Sequence, residues 1–386
     1  MNKYERFFAL KISSIMATRM FGLFMIFPVF SVYAAQYQST TPYLIGLAIG
    51  IYGLTQAILQ IPFGYLSDQY GRKPLLVIGL IFFFTGSVVA ANATDIIQVV
   101  IGRALQGSGA ISAVLMAFLA DFVSEEQRAK ANAFVGMQIG LAFMLSLLIG
   151  PMVTVNLGLS GLFWVIAGLS IVAMAIVTTL PHAKPRAQYA LSMENFKQVL
   201  TAKLLKLDFS IFTLHLILTC VFISVPLLLV ENKIVLSDLS DNWRVYLPVM
   251  LLSFIGMIPI IIIAEKFKKH KSMIVIAIFI MGISQILLFK TPLTYTAFLV
   301  IMTLFFIAFN AMEAMLPSMV SRIITNDKRG MAMGMYSTSQ FLGAFVGGVV
   351  GGYIAHNFDL NSVLLFTALM TMCWLGVALT IKTVKK

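Results

Sequence analysis

A chain of 386 residues that is 60% hydrophobic and only 11% charged, with a mean hydropathy of +0.95, cannot be a water-soluble globule, because soluble domains carry about 25% charged residues. Its net charge of +12 would suit nucleic acid, but the basic residues lie between bilayer-length apolar segments. Membrane topology accounts for them better, and no nucleic-acid partner is expected. Cys220 and Cys373 stand alone in apolar segments without CxxC or metal-ligand spacing, so no disulfide framework, metal or cofactor is expected either.

The chain opens with Lys3 and Arg6 ahead of an apolar stretch reaching Ala35. That stretch is too long for a secretory signal and contains Lys11 and Arg19, so it reads as a retained first span. Apolar segments then recur near 8–35, 43–66, 74–93, 97–121, 129–155 and 160–181, and again near 207–230, 243–264, 272–290, 294–320, 330–356 and 361–382. About 20 apolar residues cross hydrocarbon as a helix, and only helices or closed barrels satisfy the backbone there. The lengths exclude tilted strands. The expected fold is an all-α membrane protein of twelve transmembrane helices in two pseudo-symmetric six-helix bundles, residues 1–181 and 207–386. Between them, 182–206 is a polar linker in which Phe196, Val199, Leu200 and Leu204 recur at helical spacing against lysines. Such a segment suits a helix lying on an anionic membrane surface, or equally a plain linker helix. A shift of 201 residues aligns Arg128 with Arg329, Ser146 with Gly347 and Gly150 with Gly351, as two related halves require.

Placing the loops alternately puts 22 of the 27 Lys and Arg residues on one side. Only Lys233, Arg244 and Lys290 fall on the other, with Arg19 and Arg103 inside spans. The positive-inside rule then places both termini and the linker in the cytoplasm.

Between the second and third spans the chain reads Gly64-Tyr-Leu-Ser-Asp68-Gln-Tyr-Gly71-Arg72-Lys73-Pro74. Charges this dense are costly inside lipid, so the stretch is a short interfacial loop whose reversal Gly71 permits. The basic pair alone would serve as a stop-transfer signal. The whole pattern resembles motif A of the major facilitator superfamily, with Gln69 where that family most often has arginine. Span four carries Arg103-Ala-Leu-Gln106-Gly107, similar to motif B of the same family. Gly150-Pro151 in span five is similar to a fragment of its antiporter-associated motif C, with Ser146, Thr154 and Val155 where further glycines would stand. Phe21-Gly-Leu-Phe-Met, Gly50-Ile-Tyr-Gly-Leu-Thr-Gln56, Gln60-Ile-Pro-Phe-Gly64 and Tyr336-Ser-Thr-Ser-Gln-Phe-Leu-Gly343 resemble the YajR-type transporters within that superfamily. The resemblance implies two bundles rocking about a midplane site. It also implies that Asp68, Arg72 and Asp121 form a charge cluster facing the start of span eleven, a latch for the cytoplasmic side.

Five further positions carry embedded polar chemistry beside Arg103. Arg19, midway along span one, has no snorkelling route, so it faces a central cavity or pairs with an acid or a carbonyl. Arg103 shares a helical face with Gln106 and Gly107, and either snorkels to headgroups or faces the cavity; the resemblance implies a part in proton coupling or in anchoring an acid. Asn310 and Glu313 sit in span ten, and Glu313 is the clearest acid in an apolar span. Desolvation favours its neutral form unless a cation is close, so it either carries a proton or is held permanently by an arginine. His215 in span seven is a second titratable candidate. Gly343, Gly347 and Gly351 form a ridge that lets two helices approach closely.

No nucleotide-binding loop, nucleophile with its base, or metal cluster points to an enzyme. The expected activity is secondary transport of a small molecule, coupled to protons and directed outward, by a monomer in a bacterial inner membrane. Uptake by a facilitator or proton symporter is the alternative on the same scaffold, and a membrane sensor or intramembrane enzyme is a third. Reporter fusions at Lys197 and Ser237 should report inside and outside respectively; the reverse pattern would overturn the topology.

Overall fold

The computed structural model describes residues 1–181, 200–236, 239–324 and 329–381. Residues 182–199, which make up most of the expected linker and include Phe196, Lys197 and Val199, lie outside the described residues, as does Ser237. The chain divides into two compact units, Met1–Ala190 and Leu191–Lys386.

Among the described residues, eleven helices are long and apolar enough to cross a membrane. One of them, Glu125–Thr178, has 54 residues, about 80 Å at 1.5 Å per residue and more than twice a hydrocarbon core. It reverses at Gly158, where φ is 68° and ψ −177°, a backbone region essentially reserved for glycine. It is therefore spans five and six joined through one residue, and the spans number twelve. The others are Lys3–Phe24, Pro42–Tyr70, Arg72–Ala91, the broken pair Ile96–Ser108 and Ser112–Phe122, Ala202–Glu231, Trp243–Lys266, His270–Lys290, Tyr295–Ile323, Arg329–Asn357 and Leu360–Leu379.

Three boundaries differ from the sequence reading. Span one leaves regular helix after Phe24 and resumes only for Phe30–Tyr33, because Pro28 has no N–H to return to the Phe24 carbonyl. Span four is not continuous: residues 109–111 leave the helix between Ser108 and Ser112. Gly109 lies so close to span three that an added Cβ would sit 2.2 Å from the Gly79 carbonyl oxygen. Span seven starts at Ala202 with Thr201 as its cap, so Lys203 and Lys206 belong to the span and not to the linker.

Contacts between helix ends fix the up-and-down path inside each unit. In the first, the Met1 ammonium donates to Gln127 Oε1 at 2.8 Å and the Ser124 N–H to Glu5 Oε1 at 3.0 Å. At the opposite side, the Gln38 N–H donates to the Thr94 carbonyl at 3.0 Å and Ser160 Oγ to the Ala91 carbonyl at 2.6 Å. In the second unit, Lys206 Nζ donates to the Thr380 carbonyl at 3.0 Å on the linker side, and Tyr295 Oη to the Arg244 carbonyl at 3.0 Å on the other.

Spans seven and eleven pack most closely. An added Cβ on Gly343 would lie 2.1 Å from the Phe212 carbonyl oxygen, and one on Gly347 2.4 Å from that of Leu216. A backbone carbonyl cannot step aside as a side-chain tip can. Gly343→Ala should therefore cost about 1–3 kcal/mol by overpacking, read as a lowered Tm in detergent. Gly376→Ala in span twelve meets nothing within 4 Å and should be neutral or slightly stabilising through helix propensity.

Candidate functional site

Span four begins at Asp95, which accepts from the Ile97 N–H at 2.8 Å, while Gln98 Oε1 accepts from the Thr94 N–H at 2.8 Å. Hydrogen bonds from the Ser39 hydroxyl and then the Ile97 N–H hold the Asp95 carboxyl below the ordinary range. From that cap the helix carries Arg103 about 12 Å inward, where it is 1% exposed. It does not snorkel. Arg103 Nη1 donates to Gln106 Oε1 at 2.7 Å and Nε to the Ala48 carbonyl at 3.3 Å. Gln106 Nε2 in turn donates to Ser87 Oγ at 2.8 Å.

Arg19 is equally buried, at 1% exposure. Its Nη1 donates to Ser112 Oγ at 3.0 Å, its Nη2 donates to Gln56 Oε1, and Gln56 Nε2 passes the chain to Gln60 Oε1 at 2.9 Å. Ser112 is the first residue after the break in span four, so the interruption of the helix supplies a partner for the arginine. Both guanidinium groups lie over Tyr52, at 5.6 Å for Arg19 and 5.0 Å for Arg103 from the ring centroid, a favourable cation–π placement. Among the described residues neither pairs with a carboxylate. Arg19 Nε and Arg103 Nη2 are buried without a hydrogen-bond partner. The first unit thus holds two embedded cations balanced by dipoles and a ring face, an arrangement able to take an anionic group.

The Gly64–Pro74 stretch proves to be two helix ends meeting at a single residue, Gly71, with φ 95°. Arg72 sits between Asp68 Oδ1 at 2.5 Å and Asp121 Oδ2 at 3.0 Å, and donates to Ser67 Oγ at 2.6 Å. Spans two, three and four are tied at that point. Lys73 Nζ donates to the carbonyls of Thr178 and Leu180 at 3.1 and 2.8 Å, capping the C-terminal end of span six, where cations are favoured. Gly64 is under no steric demand, since an added Cβ would meet Ala113 Cβ at 3.8 Å.

In the second unit the structure groups His215 with Glu313 and, unanticipated, with Gln340. Gln340 Nε2 stands 2.8 Å from His215 Nε2, and His215 Nδ1 stands 3.3 Å from the Ile211 carbonyl oxygen. Both ring nitrogens of His215 therefore have a partner, and which of them donates follows the tautomer. Glu313 Oε1 is 3.6 Å from His215 Nε2, and that oxygen is buried without a hydrogen bond. Yet the Glu313 side chain as a whole remains 34% exposed, so the burial of Oε1 does not extend to the entire side chain. Asn310 is not part of this group; its Nδ2 donates to Ser253 Oγ at 3.0 Å in span eight. At the linker side, Glu265 pairs with Arg322 at 2.6 Å.

Sequence reasoning missed Asp208, while Tyr52, Gln56, Gln60, Tyr336 and Gln340 entered it only within segments quoted for resemblance, with no role assigned. The recurrence of Tyr52, Gln56 and Gln60 every four residues in an apolar helix was the available signal. Asp208, 7% exposed, lies close to the start of span seven and reads in sequence as an edge residue.

Residues 12–233 and 207–386 match the model of the Major Facilitator Superfamily. The chain belongs to the major facilitator superfamily. It is 42% identical over 376 residues to the Inner membrane transport protein YajR of Escherichia coli strain K12, covering 96% of this chain and 82% of that protein. Its major facilitator fold is similar to that of a D-xylose–proton symporter, with TM-score 0.79, 17% identity and coverage of 98% and 99% of the two chains. It is also similar to a bacterial homologue of the human lysosomal transporter Spinster, with TM-score 0.76, 14% identity and coverage of 98% and 97%. The protein is a transporter with a multi-pass helical fold, and not an enzyme.

The unequal burial of the two acids around Arg72 separates their contributions. Asp121 is 11% exposed and Asp68 44%. Asp121→Asn should cost about 1–3 kcal/mol, and Asp68→Asn less than about 1 kcal/mol because solvent screens it. Thermal unfolding of the two variants in one detergent checks this; equal losses would mean that burial does not decide.

Proposed function

We propose that this transporter exports a small molecule against an inward flow of protons, and that Glu313 carries the proton. The observation that supports this is the Glu313 carboxyl itself, with one buried oxygen free of hydrogen bonds, a histidine beside it, and about a third of the side chain still exposed. A proton carrier must be neutral in one state and charged in another. A permanent pair with arginine, the competing role for this acid, has no support among the described residues, where Glu313 contacts only His215 as an ionic partner. Arg19 and Arg103 cannot carry protons, because guanidinium stays charged. With Gln106 they are suited to anchoring an anionic group on the substrate.

The charge asymmetry supports a bacterial inner-membrane setting with both termini cytoplasmic, and the E. coli relative is itself named as an inner membrane protein. In this reading the protein acts as a monomer by alternating access. Asp68, Arg72 and Asp121, with Gly64, Gly71 and Lys73, serve as the latch that holds the cytoplasmic side closed, and the Arg72 ion pairs that tie spans two, three and four support that reading. Outward direction rests on the resemblance of Gly150-Pro151 to a fragment of the antiporter-associated motif C. Proton-coupled uptake is the second reading, favoured by the likeness in fold to the xylose symporter.

Glu313→Gln, which mimics the protonated acid, tests the proposal in proteoliposomes with a substrate found by ligand-induced melting shifts. Proton-driven transport should be lost while gradient-free exchange persists. Full coupled activity would reject the proposal, and loss of folded protein would instead favour a structural acid.

A further inference from the structure

We infer that Asp208 delivers protons between the linker side of the second unit and Glu313, with Tyr336 as the bridging hydroxyl. This rests on Glu313 being the proton carrier. Asp208 lies seven residues before His215 in span seven, on the same helical face and about 10 Å nearer the linker side. It is 7% exposed and has no ion pair among the described residues. Lys203 is exposed, and Lys206 is committed to the Thr380 carbonyl, so neither lysine neutralises it.

The packing of spans seven and eleven sets what faces Asp208. Gly343 abuts the Phe212 carbonyl, Gly347 that of Leu216, and Gly351 packs on Cys220. The same register carried back one turn puts Ser339 opposite Asp208, with Tyr336 and Gln340, four residues apart, sharing one flank beside it. Gln340 reaches His215 from the linker side, at 2.8 Å. Tyr336 is 3% exposed, its hydroxyl is buried without a hydrogen bond, and it lies one helical turn to the linker side of Gln340, the residue that touches His215. The other elements packed on span seven add little: span ten brings Glu313 and the already paired Arg322, and span twelve brings only the exposed Cys373 as an ionisable side chain.

A phenolic hydroxyl placed between two carboxyls can pass a proton without holding charge. As the Asp208 O–H bond breaks, its proton bonds to Tyr336 Oη, and the proton formerly on Oη bonds to the Glu313 carboxylate. Asp208 is left ionised, Glu313 neutral and Tyr336 unchanged. Rotation of the hydroxyl resets it, and the reverse sequence empties Glu313.

The test uses the full chain in proteoliposomes, following the carboxyl C=O stretch by infrared difference spectroscopy after a pH jump on one side. Glu313→Gln identifies the Glu313 band. Asp208→Asn should slow protonation of Glu313 from the linker side by about a hundredfold, the scale of a lost proton-transfer group. Its final titration level and its rate from the opposite side should not change. Tyr336→Phe should reproduce the effect, and Asp208→Glu should restore the rate. A wild-type rate in both Asp208→Asn and Tyr336→Phe, or equal slowing from both sides, would overturn the relay alone. A wild-type protein whose Glu313 band never titrates would overturn the carrier reading, and the relay with it.

Discussion

Charge inside hydrocarbon must be answered by whatever the neighbouring helices can offer, and this constraint shapes both units. Leaving an ion unpaired in a low-dielectric interior costs several kcal/mol, and hydrogen bonds to a charged group return about 1.5–3 kcal/mol each. The first unit meets that demand with amides, hydroxyls and a ring. Gln56, Ser112 and Tyr52 come to Arg19 from spans two and four, and Gln106, Ala48 and Tyr52 come to Arg103. The break in span four belongs to the same solution, because it turns Ser112 toward the arginine. The second unit holds acids instead of cations, and a carboxyl has an option that guanidinium lacks. It can take up a proton and become neutral.

Near the helix ends the same charges are cheap, and there they act as fasteners. Arg72 joins three spans through two carboxylates, Lys73 caps span six, and Arg128 Nη2 donates to the Ala120 carbonyl at 2.9 Å at the end of span four. The basic residues that orient a membrane protein are thus also spent on carbonyls that the last turn of a helix cannot satisfy by itself. In the second unit Arg322, which stands 201 residues after Asp121, pairs with Glu265. That one position holds a fastening charge in both halves, with opposite sign and with partners that do not align.

The span count was legible in the sequence because bilayer thickness imposes a length that composition displays directly. Arg19, Arg103 and Glu313 stood out for the same reason, as charges where lipid forbids them. Their partners did not. Ser112 is 93 residues from Arg19 and Gln340 is 125 from His215, and one sequence holds no register between helices so far apart. The break in span four was hidden because Gly107-Ser108-Gly109 suits close packing in an unbroken helix equally well. Pro28 was the clearer signal and went unused, since the apolar run continues past it. Asp208 escaped notice because an acid two turns from a helix end looks solvated until the surrounding helices close over it.

The one-residue reversal at Gly158 bears on how the protein is made. Most connections between spans have enough chain for one helix to settle in lipid while the next is still being threaded. Between spans five and six, as at Gly71, a single residue makes the turn, so neither helix has slack to settle alone, and Ser160 anchors the hairpin on the end of span three. A side chain at Gly158 would have to take a backbone conformation essentially reserved for glycine, and the strain would fall on that hairpin first.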